Sequence, residues 1–322
     1  MKKILGMGNA LVDIMTILPA DEVLIEFNLP KGSMQLVDEV YHQNIQLQTQ
    51  KFERKMASGG SAANTIHGLA RLGIATGFIG KVGTDEMGVF FRKDMMDNKI
   101  NPFLIDCLTP SGVATALVSP DSERTFATFL GAACELEAKN IQAEIFENYH
   151  LFHIEGYLVQ NQELIENAVK IAKDKGLMVS LDLASYNVVE DNLEFLKRIV
   201  TDYVDIVFAN EDEAKAFTGK EPEEALVEMS KMSEIAVVKL GSKGSLIMKD
   251  GEISRVEGKK ANCIDTTGAG DIYAAGFLYG YVSGKSMSEC GRIGTALATR
   301  VVELVGPKLD EESWAKLLIE IQ

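Results

Sequence analysis

The chain predicts a three-layer α/β/α architecture around a central, mostly parallel sheet, and three observations carry that reading. Strand-like apolar runs alternate with helix-periodic segments, the order expected of βαβ units on a parallel sheet. The runs 177–182, 204–209 and 235–240 are nearly continuous in apolar residues, as strands buried on both faces are. At 322 residues and 46% hydrophobic content, the chain is long enough to enclose a large core, a length that fits one large domain or two smaller ones.

In chain order, Met1-Lys2-Lys3 leads into a short strand read as far as Asp13, with no apolar region of a signal peptide. Residues 14–38 look extended and punctuated by turns. Gly59-Gly60-Ser61 then runs into an amphipathic helix that stops at Gly73. A second extended stretch, 111–131, holds two strands at 113–118 and 124–129 separated by the turn signal Pro120-Asp121-Ser122-Glu123. These two stretches break the alternation and predict a small β-sheet lid. Residues 161–175 set Leu164, Ile165, Ala168, Val169, Ile171 and Ala172 on one helical face, and another helix is expected around 191–201. No linker, low-complexity tract or repeat divides the chain, so the expectation is one domain, 1–322, with lid insertions at approximately 14–38 and 111–131.

Composition excludes several classes. Lys and Arg total 32 against 47 Asp and Glu, a formal charge of −15, which repels a nucleic-acid backbone. No apolar run approaches the ~20 residues that span a bilayer, so a cytoplasmic protein without a membrane partner is expected. Cys107, Cys134, Cys263 and Cys290 show no C-x-x-C spacing and predict neither zinc nor a disulfide framework. They read as small buried apolar residues, Cys263 partly accessible. His42, His67, His150 and His153 form no ligand grouping. A dinucleotide-dependent dehydrogenase would need G-x-G-x-x-G after the first strand, and Gly6-Met7-Gly8-Asn9-Ala10-Leu11 lacks the third glycine.

The chemistry concentrates in Ile264-Asp265-Thr266-Thr267-Gly268-Ala269-Gly270-Asp271, which opens a helix. Gly268, Ala269 and Gly270 let backbone N–H groups approach an anion, and the helix dipole favours negative charge there. Asp271 beside a bound anion is suited to take a proton from an attacking hydroxyl. Phosphoryl transfer to an alcohol fits both features; a plain loop and helix cap is the alternative.

This segment, the Gly-Gly-Ser turn within 57–73 and the opening Gly6–Asp13 stretch together resemble the PfkB/ribokinase family of small-molecule kinases, over nearly the whole chain. Gly8-Asn9-Ala10-Leu11-Val12-Asp13 and Leu29-Pro30-Lys31-Gly32-Ser33-Met34-Gln35-Leu36-Val37-Asp38 are similar to the adenosine-kinase-like branch. The resemblance implies a ribokinase-like fold with a lid over the acceptor, ATP as donor, and Asp271 as general base beside a Gly268–Gly270 anion hole. It implies an acceptor held by Asn9, Asp13, Gly59, Gly60 and Asn64, a set that suits a ribose-like diol. Asn210-x-x-Glu213 is similar to the family's N-x-x-E element and implies a role on the water shell of Mg2+; alone, it reads as a helix-start charge pattern. ATP is expected along Lys239, Gly241, Gly244, Asn262 and Thr266, with Asn262 and the helix holding Ala296, Ala298 and Thr299 near the adenine; core packing is the alternative for that helix. The 239–244 turn lacks the Lys-Ser/Thr ending of a P-loop.

Two further assignments are made: the resemblance implies a K+ site at Asp265 and Thr267, for which loop capping is the alternative, and Arg124, in the lid-like strand pair, is placed to reach over and offset charge on the transferred phosphate, an exposed lid Arg with no role being the alternative. The expected acceptor is an adenosine-like nucleoside, with ribose, fructose or another ketosugar as the alternative and a non-catalytic binder as the rival outside enzymology. Phe126, Phe129, Met34 and Leu36 are read either as a clamp on a nucleoside base or as lid core. The assembly is expected to be a monomer or a homodimer.

Overall fold

Residues 2–121 and 123–321 are described by the structure, a computed structural model. Fourteen strands occur among them: β1 (Lys3–Met7), β2 (Leu11–Ile17), β3 (Met34–Leu36), β4 (Arg54–Gly59), β5 (Ala75–Gly83), β6 (Ile100–Cys107), β7 (Gly112–Val118), β8 (Arg124–Phe129), β9 (Leu151–Glu155), β10 (Met178–Asp182), β11 (Ile206–Asn210), β12 (Ile235–Lys239), β13 (Gly244–Lys249) and β14 (Glu252–Glu257). Nine form a sheet in the order β14-β13-β12-β11-β10-β9-β1-β5-β6. It is parallel from β6 through β12, and β13 and β14 add an antiparallel edge.

Helices cover both faces because alternate residues of each strand point to opposite sides. Phe152 and Ile154 join Leu164, Ile165, Ala168 and Val169 of the helix Gln162–Asp174 on one side. Leu151 and Phe208 join Ile66, Phe277 and Leu278 on the other. The expected strands at 177–182, 204–209 and 235–240 and the helices near 161–175 and 191–201 are all present, the last as Leu193–Tyr203. No helix among the described residues is long and apolar enough to cross a membrane.

The second sheet runs β3-β8-β7-β2-β4, with Leu18, Leu24, Phe27, Ile45 and Leu117 packed behind it. It differs from expectation in three ways. Residues 14–38 are not continuously extended, since a short helix, Glu22–Glu26, interrupts them and Glu39–Thr49 follows as a longer one. β4 was not expected, because Arg54-Lys55-Met56 carries the mixed polarity of an edge strand. Asp13 does not end the first strand. The chain breaks after Met7 and restarts as β2 in the small sheet, pairing in parallel with β7. The β7–β8 hairpin forms as expected; Ser122 of its turn lies outside the described residues. Among the cysteines only Cys290 is buried, whereas Cys134 and Cys263 are exposed.

The helix Ala269–Val282 lies against Met287–Val301 at backbone distance. A Cβ on Gly276 would sit 2.9 Å from the Gly294 Cα and N, and backbone cannot yield as a flexible side chain does. Gly276→Val should therefore cost about 1–3 kcal/mol in urea unfolding; unchanged stability would show that the two helices are not packed this closely.

Candidate active site

A cavity of about 1330 Å3 opens where β10, β11 and β12 end in Asp182, Asn210 and Lys239, with Leu11, Asp13, Ala114 and Phe126 of the small sheet above it. Ligands of open α/β sheets bind outside the carboxyl ends of the strands.

Asp271 is the third residue of the helix Ala269–Val282. Ser61 Oγ donates to its Oδ1 (2.7 Å) and Asn64 Nδ2 to its Oδ2 (3.0 Å), while Thr65 Oγ1 donates to its backbone carbonyl (3.0 Å). Both carboxylate oxygens are thus aimed by the helix Ser61–Arg71, which starts at the Gly-Gly-Ser turn. Burial, reinforced by Asp182 and opposed by the hydrogen bonds from Asn64 and Ser61, pushes the Asp271 carboxyl up to about 6.

The anion hole differs from expectation at one amide. Ala269 N–H donates to the Thr266 carbonyl (3.1 Å), whereas Gly270 and Asp271, as the second and third helical residues, have N–H groups that no carbonyl of their own helix reaches. Gly268 holds φ 74°, and a side chain there would run into Pro307. A Cβ on Gly270 would lie 3.0 Å from Lys239 Nζ, so the ammonium stands beside the hole. Lys239 Nζ donates to Asp182 Oδ2 (2.6 Å). Burial lowers the Lys239 pKa, but Asp182 and Glu213 outweigh it and hold the ammonium above its ordinary value.

Asp13 faces the cavity from the small sheet, its carboxylate without a hydrogen-bond partner among the described residues. Burial pushes it up to about 7, Lys308 opposing and Asp271 adding to the rise. Lys308 is itself held by Ser58 Oγ (2.9 Å) and Asp94 Oδ2 (3.0 Å). The two glycines make room for this arrangement. A Cβ on Gly59 would strike the Asp13 carboxylate, and one on Gly60, at φ 94°, the Asn9 carbonyl. Gly60 and Asn64 border the cavity, and Asn64 Oδ1 has no donor among the described residues. Gly59 does not border it. Nor does Asn9, whose N and Nδ2 both donate to Glu155 Oε1 (2.9 and 2.7 Å). Its amide braces a buried carboxylate instead of reaching a ligand. Glu155 Oε2 accepts the Ala62 N–H (2.8 Å), which ties the end of β1 to the start of the Ser61–Arg71 helix.

Asn210 and Glu213 border the cavity as a capping box: Asn210 N and Nδ2 donate to the Glu213 carboxylate (2.8 and 2.6 Å), and Glu213 N donates to Asn210 Oδ1 (2.9 Å). Burial raises Glu213 to about 7, Lys239 opposing and Asp182 adding to it. Among the described residues no three His, Cys, Asp or Glu side chains converge as a metal cluster. Asp182 and Glu213, two carboxylates with a single ammonium between them, fit a hydrated divalent cation held through water. Lys239, Gly241, Gly244, Asn262 and Thr266 all border the same cavity, as do Ala298 and Thr299; Ala296 faces the core.

Three expectations are corrected. Arg124 does not reach toward the anion hole: it forms an ion pair with Asp265 outside the main cavity. The same pair fills the position expected for K+ at Asp265 and Thr267. Of the aromatic and apolar clamp only Phe126 borders the cavity; Phe129 stacks on His42 (5.3 Å between centroids), and Met34 and Leu36 are exposed. Asp182, Ser61, Glu155 and Lys308 belong to the site without having been singled out. Asp182 ended an expected strand and Ser61 closed the Gly-Gly-Ser turn, two readable signals, whereas nothing near Lys308 marked it.

The chain matches the pfkB family carbohydrate kinase model over residues 31–314. It is 32% identical over 243 residues to an uncharacterized sugar kinase of Archaeoglobus fulgidus, covering 75% of this chain and 96% of that one. It is 30% identical over 256 residues to the ribokinase of Haemophilus influenzae, covering 76% and 80%. The crystal structure of adenosine kinase from Sinorhizobium meliloti superposes with a TM-score of 0.87 at 32% identity, covering 100% of this chain and 99% of that one.

Asp271 also carries a stability cost. With a folded pKa of about 6 against 3.8 ordinarily, the native state holds that proton more tightly than the unfolded chain. This group's contribution therefore falls as pH rises from about 4 to about 6 and stays low above. Asp271→Asn should be more stable than the parent at about pH 8, by on the order of 1–3 kcal/mol, with the gain vanishing near pH 4. Denaturant melts at the two pH values check this; a variant less stable at the higher pH would show that the carboxylate is not held against its solvation.

Proposed function

The chain belongs to the pfkB family of carbohydrate kinases, and on that footing we propose that it transfers the terminal phosphoryl group of ATP to a hydroxymethyl group of an adenosine-like nucleoside. The observation that carries this reading is the pairing of two carboxylates across one cavity: Asp13, unpartnered, from the small sheet, and Asp271, aimed by Ser61 and Asn64, at a helix start with open N–H groups. Asp13 accepts hydrogen bonds from a vicinal diol. The acceptor's hydroxyl oxygen attacks the terminal phosphorus, its proton passes to Asp271, and the bond between that phosphorus and the bridging oxygen breaks to release ADP.

Phosphoryl transfer leaves the protein mainly positioning and charge stabilisation. Gly270 and Asp271 N–H groups and the Lys239 ammonium stabilise negative charge on the transferring group. The nucleotide lies along Gly241, Gly244, Asn262 and Thr266, with its adenine toward Ala298 and Thr299. Asp182, Asn210 and Glu213 would hold hydrated Mg2+, which when bound offsets the polyphosphate charge.

Phe126, Leu11 and Ala114 support a nucleoside over a free sugar, since they offer apolar surface that a base covers. The likeness to the Sinorhizobium meliloti enzyme points the same way. The second reading, a sugar acceptor, draws on the likeness to the Haemophilus influenzae ribokinase.

ATP consumption over a panel of nucleosides and free sugars tests the reading. One nucleoside should be turned over with kcat falling as pH drops below about 6, because the base must be unprotonated. Asp271→Asn should lower kcat by about 10²–10⁴ with ATP binding nearly unchanged. Turnover confined to a sugar would keep the chemistry and replace the acceptor. Parent and variant equally inactive on every acceptor would sink the kinase reading.

A further inference from the structure

Asp265 stands three residues before Gly268, where a monovalent cation is expected, yet its surroundings are those of a filled site. Its Oδ1 accepts the Thr267 N–H (2.9 Å) and its Oδ2 the Gly306 N–H (2.7 Å), and Arg124 Nη1 forms an ion pair with Oδ1. The nearby Val302 carbonyl accepts both the Ile264 and Asp265 N–H groups (2.7 and 3.1 Å). Potassium needs converging oxygen lone pairs, and here the carboxylate is ringed by N–H donors and a fixed positive charge. The side chains of Arg124 and Asp265 are only 8% and 4% exposed, so the pair is sheltered from salt, and a second cation would meet the guanidinium directly. The donor set does not fit K+.

Arg124 opens β8, in the small sheet, whereas Asp265 belongs to the loop that shapes the anion hole. The pair therefore crosses from lid to body. Beside it lies a chamber of about 50 Å3 bordered by Asp13, Phe126, Thr267 and Pro307, large enough for one or two waters. Arg124 Nε and Nη2 are buried there without partners among the described residues, as expected of groups that bind water or a ligand hydroxyl.

We propose that the Arg124 guanidinium takes the place of the monovalent cation, so that nucleotide binding and phosphoryl transfer in this chain are independent of potassium and depend instead on the Arg124–Asp265 pair. A cation at this carboxylate has two tasks: to cancel a negative charge next to a polyphosphate, and to fix the loop that leads into Gly268. Arg124 does both with a charge that cannot dissociate. It is a positioning residue, acting through Asp265 and the 264–268 loop.

The turnover arm of the test rests on the kinase reading, and the binding arm does not. ATP affinity by calorimetry and turnover on the best acceptor are measured with tetramethylammonium as the sole monovalent cation, then with potassium replacing it at constant ionic strength. The parent should change by less than about twofold in both. Arg124→Ala should lose at least about tenfold in both without potassium and recover with added guanidinium ions. Arg124→Lys keeps the charge and should stay insensitive to potassium, which carries the test if the alanine variant does not fold. Parental ATP affinity rising about tenfold with potassium would overturn the proposal, as would a folded Arg124→Ala that binds like the parent without it. Absence of turnover in every buffer, with the binding pattern as expected, would count against the kinase reading alone.

Discussion

Collecting buried carboxylates in and beside one cavity is the constraint from which the rest of the site follows. Asp13, Glu155, Glu213 and Asp271 are all pushed up by burial, to about 7, 7, 7 and 6. Asp182 adds to the rise of Glu213 and Asp271. Each is costly to keep charged unless donors or cations answer it. Lys239 answers Asp182, the capping box answers Glu213, Asn9 and the Ala62 amide answer Glu155, and Ser61 and Asn64 answer Asp271. Asp13 is the exception, with Lys308 near enough to lower its pKa but no hydrogen bond among the described residues. A group left in that state at a cavity wall is open to a hydrogen-bond donor.

Glycines follow from the same crowding. Gly8 leaves room for the Glu155 carboxylate, Gly59 for that of Asp13, and Gly270 for the Lys239 ammonium. In each case the missing Cβ lets a charged group come within contact of the backbone. The small residues near the anion hole thus serve the protein's own charges as much as a ligand's.

Much of this was legible in the sequence because it is local. Near-continuous apolar runs identify β10, β11 and β12, whose last residues Asp182, Asn210 and Lys239 then fall at one rim of the cavity. The Gly-Gly-Ser turn and the Gly268–Asp271 segment each announce a helix start. What the sequence left hidden is contact between distant segments. Arg124 and Asp265 each suggested an electrostatic role alone, and only the fold brings them together as an ion pair. Asn9 likewise looks like a ligand contact until Glu155, far along the chain, takes both its N–H groups. Lys308 belongs to no motif, and its place beside Asp13 depends wholly on how the C-terminal segment packs. β4 went unread because an edge strand carries weak alternation.

The division of the site between two sheets sets what closing it must accomplish. Asp13 and Phe126 ride on the small sheet, whereas Asp271, Gly270 and Lys239 belong to the body. On the proposed reading an acceptor bound between them would meet its diol contact and its base from opposite sides, its hydroxyl aligned only while the two sheets keep their spacing. A shift of about 1 Å in such a geometry is enough to cost catalysis heavily. Several crossings fix the spacing, among them the bonds from the Ser58 N–H and hydroxyl of β4 to Asp94 and from Lys308 to Ser58. The chain passes from β1 to β2 through Asn9, which Glu155 anchors to the body. The Gly59–Ser61 turn joins β4 to the helix that aims Asp271. Arg124 reaches Asp265 across the gap. Of these last three, two are covalent crossings braced by buried hydrogen bonds, and the third is an ion pair sheltered from water. The small sheet is therefore joined to the body through the turn that starts the helix aiming Asp271 and through the loop that leads into Gly268.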